Sequence, residues 1–180
     1  MTNERSLMEL MVARRSCRSY RDEALPRPMI ETLLEAGRLA PSACNRQPWR
    51  FAVVQDAALR GRVVEEGFLP GLHMQWAATA PVLLVLGLER DWITHRWAAG
   101  LSGVDYAWLD AGIVGEHMVL QAEALGLGTC WIGWVRARPL RRLIGWPHRV
   151  RPVAVIPVGW PAETPSARPR KSLDELTTWR

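Results

Sequence analysis

Two periods of apolar and polar positions run along this chain. Leu7, Leu10, Met11 and Arg14 have helical spacing and predict a first helix over about 5–14. Leu25-Pro26-Arg27-Pro28 opens a second helix, with a proline in the first turn, where its missing N–H costs nothing. That helix carries Ile30, Leu33, Leu34 and Leu39 and stops before Pro41. Trp49 to Val54 reads as a strand, and Asp56 as the N-cap of a helix running through about Glu66. Val82 to Leu88 is apolar without alternation, which predicts a central strand covered on both faces.

From Asp105 to Leu125 the spacing is helical again, and Leu109, Ile113, Val114, Met118, Leu120 and Leu125 leave little of the circumference polar. Ala107, Ala111, Gly112, Gly115 and Ala122 would let another backbone come close, either inside the core or from a second subunit. His117, inside this helix, is expected to be a hydrogen-bonded core histidine. Gly126 stands where a left-handed C-cap would end the helix. A strand over Thr129–Val135, a basic helix through about Ile144 and a strand over Val153–Val158 follow. Strands and helices mix without regular βαβ alternation, so the expected class is α+β, a sandwich around one sheet. With 180 residues and no composition shift or repeat, residues 1–180 are expected to form a single domain.

Composition excludes disorder, with 48% apolar and 23% charged residues. The longest apolar run, Ala77 to Leu88, is broken by Pro81 and is too short for a membrane span. No basic-then-apolar leader opens the chain, and Cys17, Cys44 and Cys130 lack paired spacing. A reducing cytoplasm is the expected home. The charge is +5, yet Lys171 is the only lysine and the arginines are spread along the chain, so charge alone decides little. Phosphate-loop, zinc-protease and serine-elbow motifs are all missing, and the four histidines lack ligand spacing.

Three segments remain. Arg14-Arg15-Ser16-Cys17-Arg18 offers several guanidinium groups beside a hydroxyl, which suits a phosphate, although cations here would also complement a helix C-terminus. Ala40-Pro41-Ser42-Ala43-Cys44-Asn45-Arg46-Gln47-Pro48-Trp49 is a proline-bounded loop whose amides both donate and accept, or else an Asx-type turn before a core tryptophan. Gly126-Leu-Gly-Thr-Cys-Trp-Ile-Gly133 would let backbone lie close to a flat ligand, or simply cap a helix and begin a buried strand.

Taken in this order, and with Arg168-Pro-Arg170-Lys171 near the end, the segments resemble the FMN-dependent nitroreductase family. The resemblance implies an α/β sandwich with one central mixed sheet flanked by helices, and a homodimer with FMN in a groove between subunits. By position, Arg14, Arg15, Ser16 and Arg18 would hold the phosphate and ribityl chain, with Arg168 and Arg170 closing from the C-terminal segment. Pro41, Ser42 and Ala43 fall where the family's partner subunit touches the flavin, with Asn45 and Gln47 in the same loop. Ile132 and Gly133 match the strand whose backbone N–H approaches flavin N5. NADH or NADPH would reduce the flavin and leave before a nitroaromatic, quinone or similar acceptor enters, and no side chain is nominated as catalytic.

The stretch between Leu88 and Asp105 is short beside family members that build a helical lid there. The polar residue the family carries before Trp76–Pro81 has three candidates here: Gly71, His73 and Gln75. The same fold also hosts reductive dehalogenation and flavin fragmentation. A basic module binding nucleic acid is the non-enzyme alternative; it gives no reason for the Pro41–Trp49 loop and is not expected, nor is membrane binding.

Overall fold

A computed structural model describes residues 5–89 and 103–180. Expectations for the lid stretch, and His95 with it, fall largely on residues outside that description. Helix α1 (Leu7–Ala13) starts at Ser6, whose hydroxyl accepts the Glu9 N–H while the Glu9 carboxylate accepts the Ser6 N–H. Helix α2 (Arg27–Arg38) carries Pro28 in its first turn as expected. Strand β1 (Trp49–Val54) leads to α3 (Ala57–Gly67), whose Asp56 cap accepts the Leu59 N–H at 2.8 Å. Strand β2 (Val82–Glu89) is followed, beyond residue 102, by the long helix α4 (Tyr106–Ala124). A Schellman arrangement ends α4: Gly126 has φ +75° and donates to Glu123, and Leu127 donates to Ala122. Strand β3 (Gly128–Thr129), helix α5 (Ala137–Ile144), strand β4 (Val150–Gly159) and a single helical turn α6 (Leu173–Leu176) complete the order.

The sheet order is β1-β2-β4-β3, and every pairing between these strands is antiparallel. The expected parallel component is confined to an isolated bridge between Ser16 and Thr129. Alternate residues of β2 feed two cores, because side chains along a strand point to opposite faces. Val82, Leu84, Leu86 and Leu88 pack with Ile30 and Leu33 of α2 and with Ala111, Val114 and Met118 of α4. Leu83 and Val85 join Val63 of α3, Leu140 of α5 and Cys17 on the other face. The expected central strand is thus found covered on both sides.

The strand read over Thr129–Val135 is shorter than expected. Thr129 pairs with Val158 and Ile132 with Val155, so the same register puts Cys130 opposite Pro157. Ile132 and Val155 exchange both backbone bonds at 3.0 Å, which makes Cys130–Pro157 the next hydrogen-bonded position. Proline has no N–H to supply there, and the ladder breaks. Residues 130–131 are therefore paired to neither neighbour as strand.

Candidate functional site

Two distant stretches of sequence meet at the edge of β3. The Cys17 N–H donates to Thr129 O at 2.8 Å, laying residues 16–18 against the β3 edge. Gly128 permits this, since a Cβ there would lie 2.7 Å from the Cys17 sulfur. From the other side, the Ala162 N–H donates to Ser19 O and the Arg21 N–H to Trp160 O, which brings the C-terminal segment back across the first basic motif.

The result is a cavity of about 210 Å³ lined by Arg14, Arg15, Ser16, Arg18, Pro165, Ser166, Arg168 and Arg170. Every residue nominated from the two basic motifs lines it. None of the five arginines forms a salt bridge among the described residues, whereas Arg5, Arg27, Arg38, Arg50, Arg62 and Arg149 all pair with glutamates. Arg15 is partly engaged: its Nη1 donates to the carbonyls of Val12, Ala13 and Arg14, capping α1. The guanidinium of Arg18 lies 5.9 Å from the centre of the Trp76 ring, an aromatic seat that holds the charge beside the cavity. Uncompensated guanidinium groups converging with a serine hydroxyl are the donor set a phosphate dianion requires. The residues present therefore fit the phosphate end of a mononucleotide.

The segment after β3 runs beside this cavity. Ile132 is buried and its N–H is already donated to Val155 O, so the exposed backbone of the expected pair is that of Gly133. Trp131 packs over Gly115 of α4, where a Cβ would meet its ring at 2.1 Å. Burial pushes the Cys130 thiol up, against the lowering influence of Arg18, of the Ser16 hydroxyl and of Arg14.

The Pro41–Gln47 loop does not line that cavity within one chain. A short 3-10 turn (Ala43–Asn45) is held by Asn45 N–H to Ser42 O, Arg46 N–H to Ala43 O and Gln47 N–H to Ser42 Oγ. The Gln47 amide donates to Asn45 Oδ1 at 3.0 Å, leaving Gln47 Oε1 and the Asn45 amide nitrogen without a bond in the loop. Pro41, Asn45 and Gln47 are exposed, Ser42 and Ala43 half-buried, and Trp49 behind them is in the core.

His117 departs from expectation. It is half-buried, makes no hydrogen bond among the described residues, and lines an apolar groove of about 740 Å³ with Leu7, Met11, Leu39, Ile113 and Leu120. Among the described residues no core covers the outer face of α4, which is why a position read as interior lines an open groove. Sequence reasoning missed Pro165, Ser166, the Trp76 seat and Asp110. For Asp110 there was a signal, a carboxylate inside an otherwise apolar stretch of helix. Among the described residues no three His, Cys, Asp or Glu side chains gather as a metal site, and no helix is long and apolar enough to cross a membrane.

Comparison with known proteins matches residues 11–70 and 68–160 to the model of the Nitroreductase family. The chain is 34% identical to an FMN reductase (NAD(P)H) of Bacillus subtilis, over 87% of this chain and 66% of that protein. It is 30% identical to an NADH dehydrogenase of Thermus thermophilus, covering 93% and 92% respectively, and 28% identical to iodotyrosine deiodinase 1 of Mus musculus, covering 93% and 67%. Among solved structures, a nitroreductase family protein of Streptococcus pneumoniae superposes with a TM-score of 0.83 at 24% identity, over 97% of this chain and all of that one.

Proposed function

The chain belongs to the nitroreductase family of NAD(P)H-dependent oxidoreductases, and from that premise we propose that it is a homodimeric FMN enzyme reducing nitroaromatics, quinones or similar oxidised acceptors with NADH or NADPH. The observation that carries this reading is the cavity where both basic motifs meet, with five arginines and, among the described residues, no carboxylate paired to them. FMN, when bound, supplies the two-electron chemistry. Arg14, Arg18, Arg168 and Arg170 hold its phosphate, Ser16 donates to the phosphate or ribityl oxygens, and Arg15 contributes charge while capping α1. The backbone of Gly133 faces the ring, with Ile132 anchoring that segment in the sheet. Pro41, Ser42, Ala43, Asn45 and Gln47 of a second copy line the other side. Residues 1–180 act as one cofactor-binding unit, and one pocket serves donor and acceptor in turn. The absence of paired cysteine spacing fits a reducing cytoplasm.

The dimer reading also rests on the apolar groove between α1 and α4. Leu7, Met8, Met11 and Val12 of α1 and Trp108, Leu109 and Ile113 of α4 are all exposed in one chain. A symmetric second copy would cover them.

Three measurements test the proposal. The purified protein is expected to be yellow, or to bind added FMN with quenching of flavin fluorescence; a protein that stays colourless with FMN present overturns the reading. Arg18→Ala and Arg170→Ala should each weaken FMN affinity by about one to two decades, since charge-assisted bonds contribute roughly 1.5–3 kcal/mol. Arg→Lys should restore only part of that, because a point charge cannot make the bidentate contact. Arg138→Ala, on α5 away from the cavity, should leave affinity unchanged; equal loss in all three would reduce the effect to general charge. Reductive dehalogenation is the second reading, favoured by the similarity to iodotyrosine deiodinase. Release of iodide from an iodophenol faster than turnover of a nitroaromatic would decide for it.

A further inference from the structure

Asp110 is almost completely buried, at 3% exposure, and no step of the proposed function uses it. It lies on α4 one turn from the N-terminus, among the buried apolar residues Ala107, Ala111 and Val114. A carboxylate in such surroundings is costly unless it is compensated. Its Oδ1 accepts the N–H of Ala43 at 3.0 Å, across 67 residues of sequence. Packing alone would be served better by an alanine or leucine.

The group it holds is the turn of the Pro41–Gln47 loop. Cys44, Asn45 and Gln47 there have φ of +50°, +54° and +49°, a conformation that non-glycine residues enter at a cost. The bonds among Ser42, Ala43, Asn45, Arg46 and Gln47 fix the shape of the loop but not its place on the molecule. The Ala43–Asp110 bond ties that shape to the helix. We propose that Asp110 is a positioning residue that sets where Ser42, Asn45 and Gln47 stand toward the flavin, an inference that rests on the FMN reading above. Because α4 also presents the apolar face toward a second copy, one helix orients both the loop and the subunit that receives it.

The test compares Asp110→Ala, Asp110→Asn and Ala43→Pro with the wild-type protein. Proline at 43 removes the donor from the loop side, and the extended Ser42 (φ −142°, ψ 158°) is compatible with a following proline. FMN affinity is read by flavin fluorescence, loop geometry by the visible circular dichroism of bound FMN, and folding by thermal unfolding of the apoprotein. Asp110→Ala and Ala43→Pro should each lose about tenfold in affinity and alter the dichroism. Asp110→Asn keeps an oxygen acceptor and should stay within about threefold of wild type, with an unchanged dichroic signature. Should Asp110→Ala fail to fold, Ala43→Pro carries the same prediction from an accessible loop. Wild-type affinity and dichroism in Ala43→Pro, or equal losses in Asp110→Ala and Asp110→Asn, overturn the assignment while leaving the FMN reading intact. A wild-type protein that binds no FMN overturns both.

Discussion

The three cysteines occupy two environments. Cys17 and Cys130 are buried and Cys44 is exposed in the Pro41–Gln47 loop. Burial raises both interior thiols, and it raises the Tyr20 phenol well above its ordinary range; that hydroxyl donates to Cys17 O at 2.8 Å. Reactivity requires thiolate and access, so a thiol reagent at pH 8 should label Cys44 first and the other two only on unfolding. Peptide mass spectrometry after a timed pulse checks this, and early labelling at Cys17 or Cys130 would contradict the packing described. The same groups fix the sign of the alkaline response. Each holds its proton more tightly in the folded state, so the stability it contributes is complete below its unfolded pKa and is lost as pH rises through the folded one. Unfolding free energy should be flat from about pH 6 to 7.5 on their account and fall as pH rises through about 8.5, where an ordinary thiol is half ionised. At this scale the sequence disclosed the arginines and amides by residue type, but not which were already engaged. Arg15 caps α1 and the Ile132 N–H belongs to the sheet, and both facts depend on neighbours that spacing does not reveal.

Among the elements, β2 shows most plainly how packing limits sequence. Its pairing with β4 shifts register between Leu86 and Gly87, and Pro152 lies opposite Gly87 beside that irregularity. A Cβ on Gly87 would lie 2.4 Å from the Trp146 ring and 2.9 Å from Val150. Gly87→Ala should therefore destabilise by about 1–3 kcal/mol through overpacking. Gly61, inside α3, has nothing within 4 Å of the same construction, and Gly61→Ala should stabilise by roughly 0.5–1 kcal/mol. Thermal melts of the two variants should move in opposite directions; a shared direction would mean that the β2–Trp146 contact is not what requires glycine. Helices were legible at this scale because caps and prolines are local signals, as Asp56, Pro28 and Gly126 show. The strand after Thr129 was not, since the residue that interrupts it is Pro157, nearly thirty positions away in sequence. The turn at Leu173–Leu176 also escaped, although Ser172 and Glu175 form a capping box there.

For the molecule as a whole, the unpaired apolar face on α1 and α4 makes a prediction about assembly. Sedimentation of the wild-type protein should give two 20.3 kDa chains together. Ile113→Glu places a carboxylate in the groove and should yield monomer. If the loop of one copy completes the site of the other, FMN affinity should fall with it, about tenfold or more; a monomer that binds FMN as wild type does would place the whole site in one chain. The exposed Leu173, Leu176 and Trp179 of the C-terminal segment belong to the same question, since they too stand clear of the core formed by the described residues.

Local chemistry was enough to determine the α+β class, the helix boundaries and the doubly covered central strand. Each of these depends on periodicity, caps or residue type within a few positions. Tertiary structure alone decided that the first and last basic motifs share one cavity, because Gly128 lets residues 16–18 reach the β3 edge and the chain after Gly159 folds back over them. It alone placed His117 on an open groove, by leaving the outer face of α4 uncovered among the described residues. And it alone joined Asp110 to Ala43, since a buried carboxylate must find a donor wherever the fold brings one within reach, and no local pattern records where that will be.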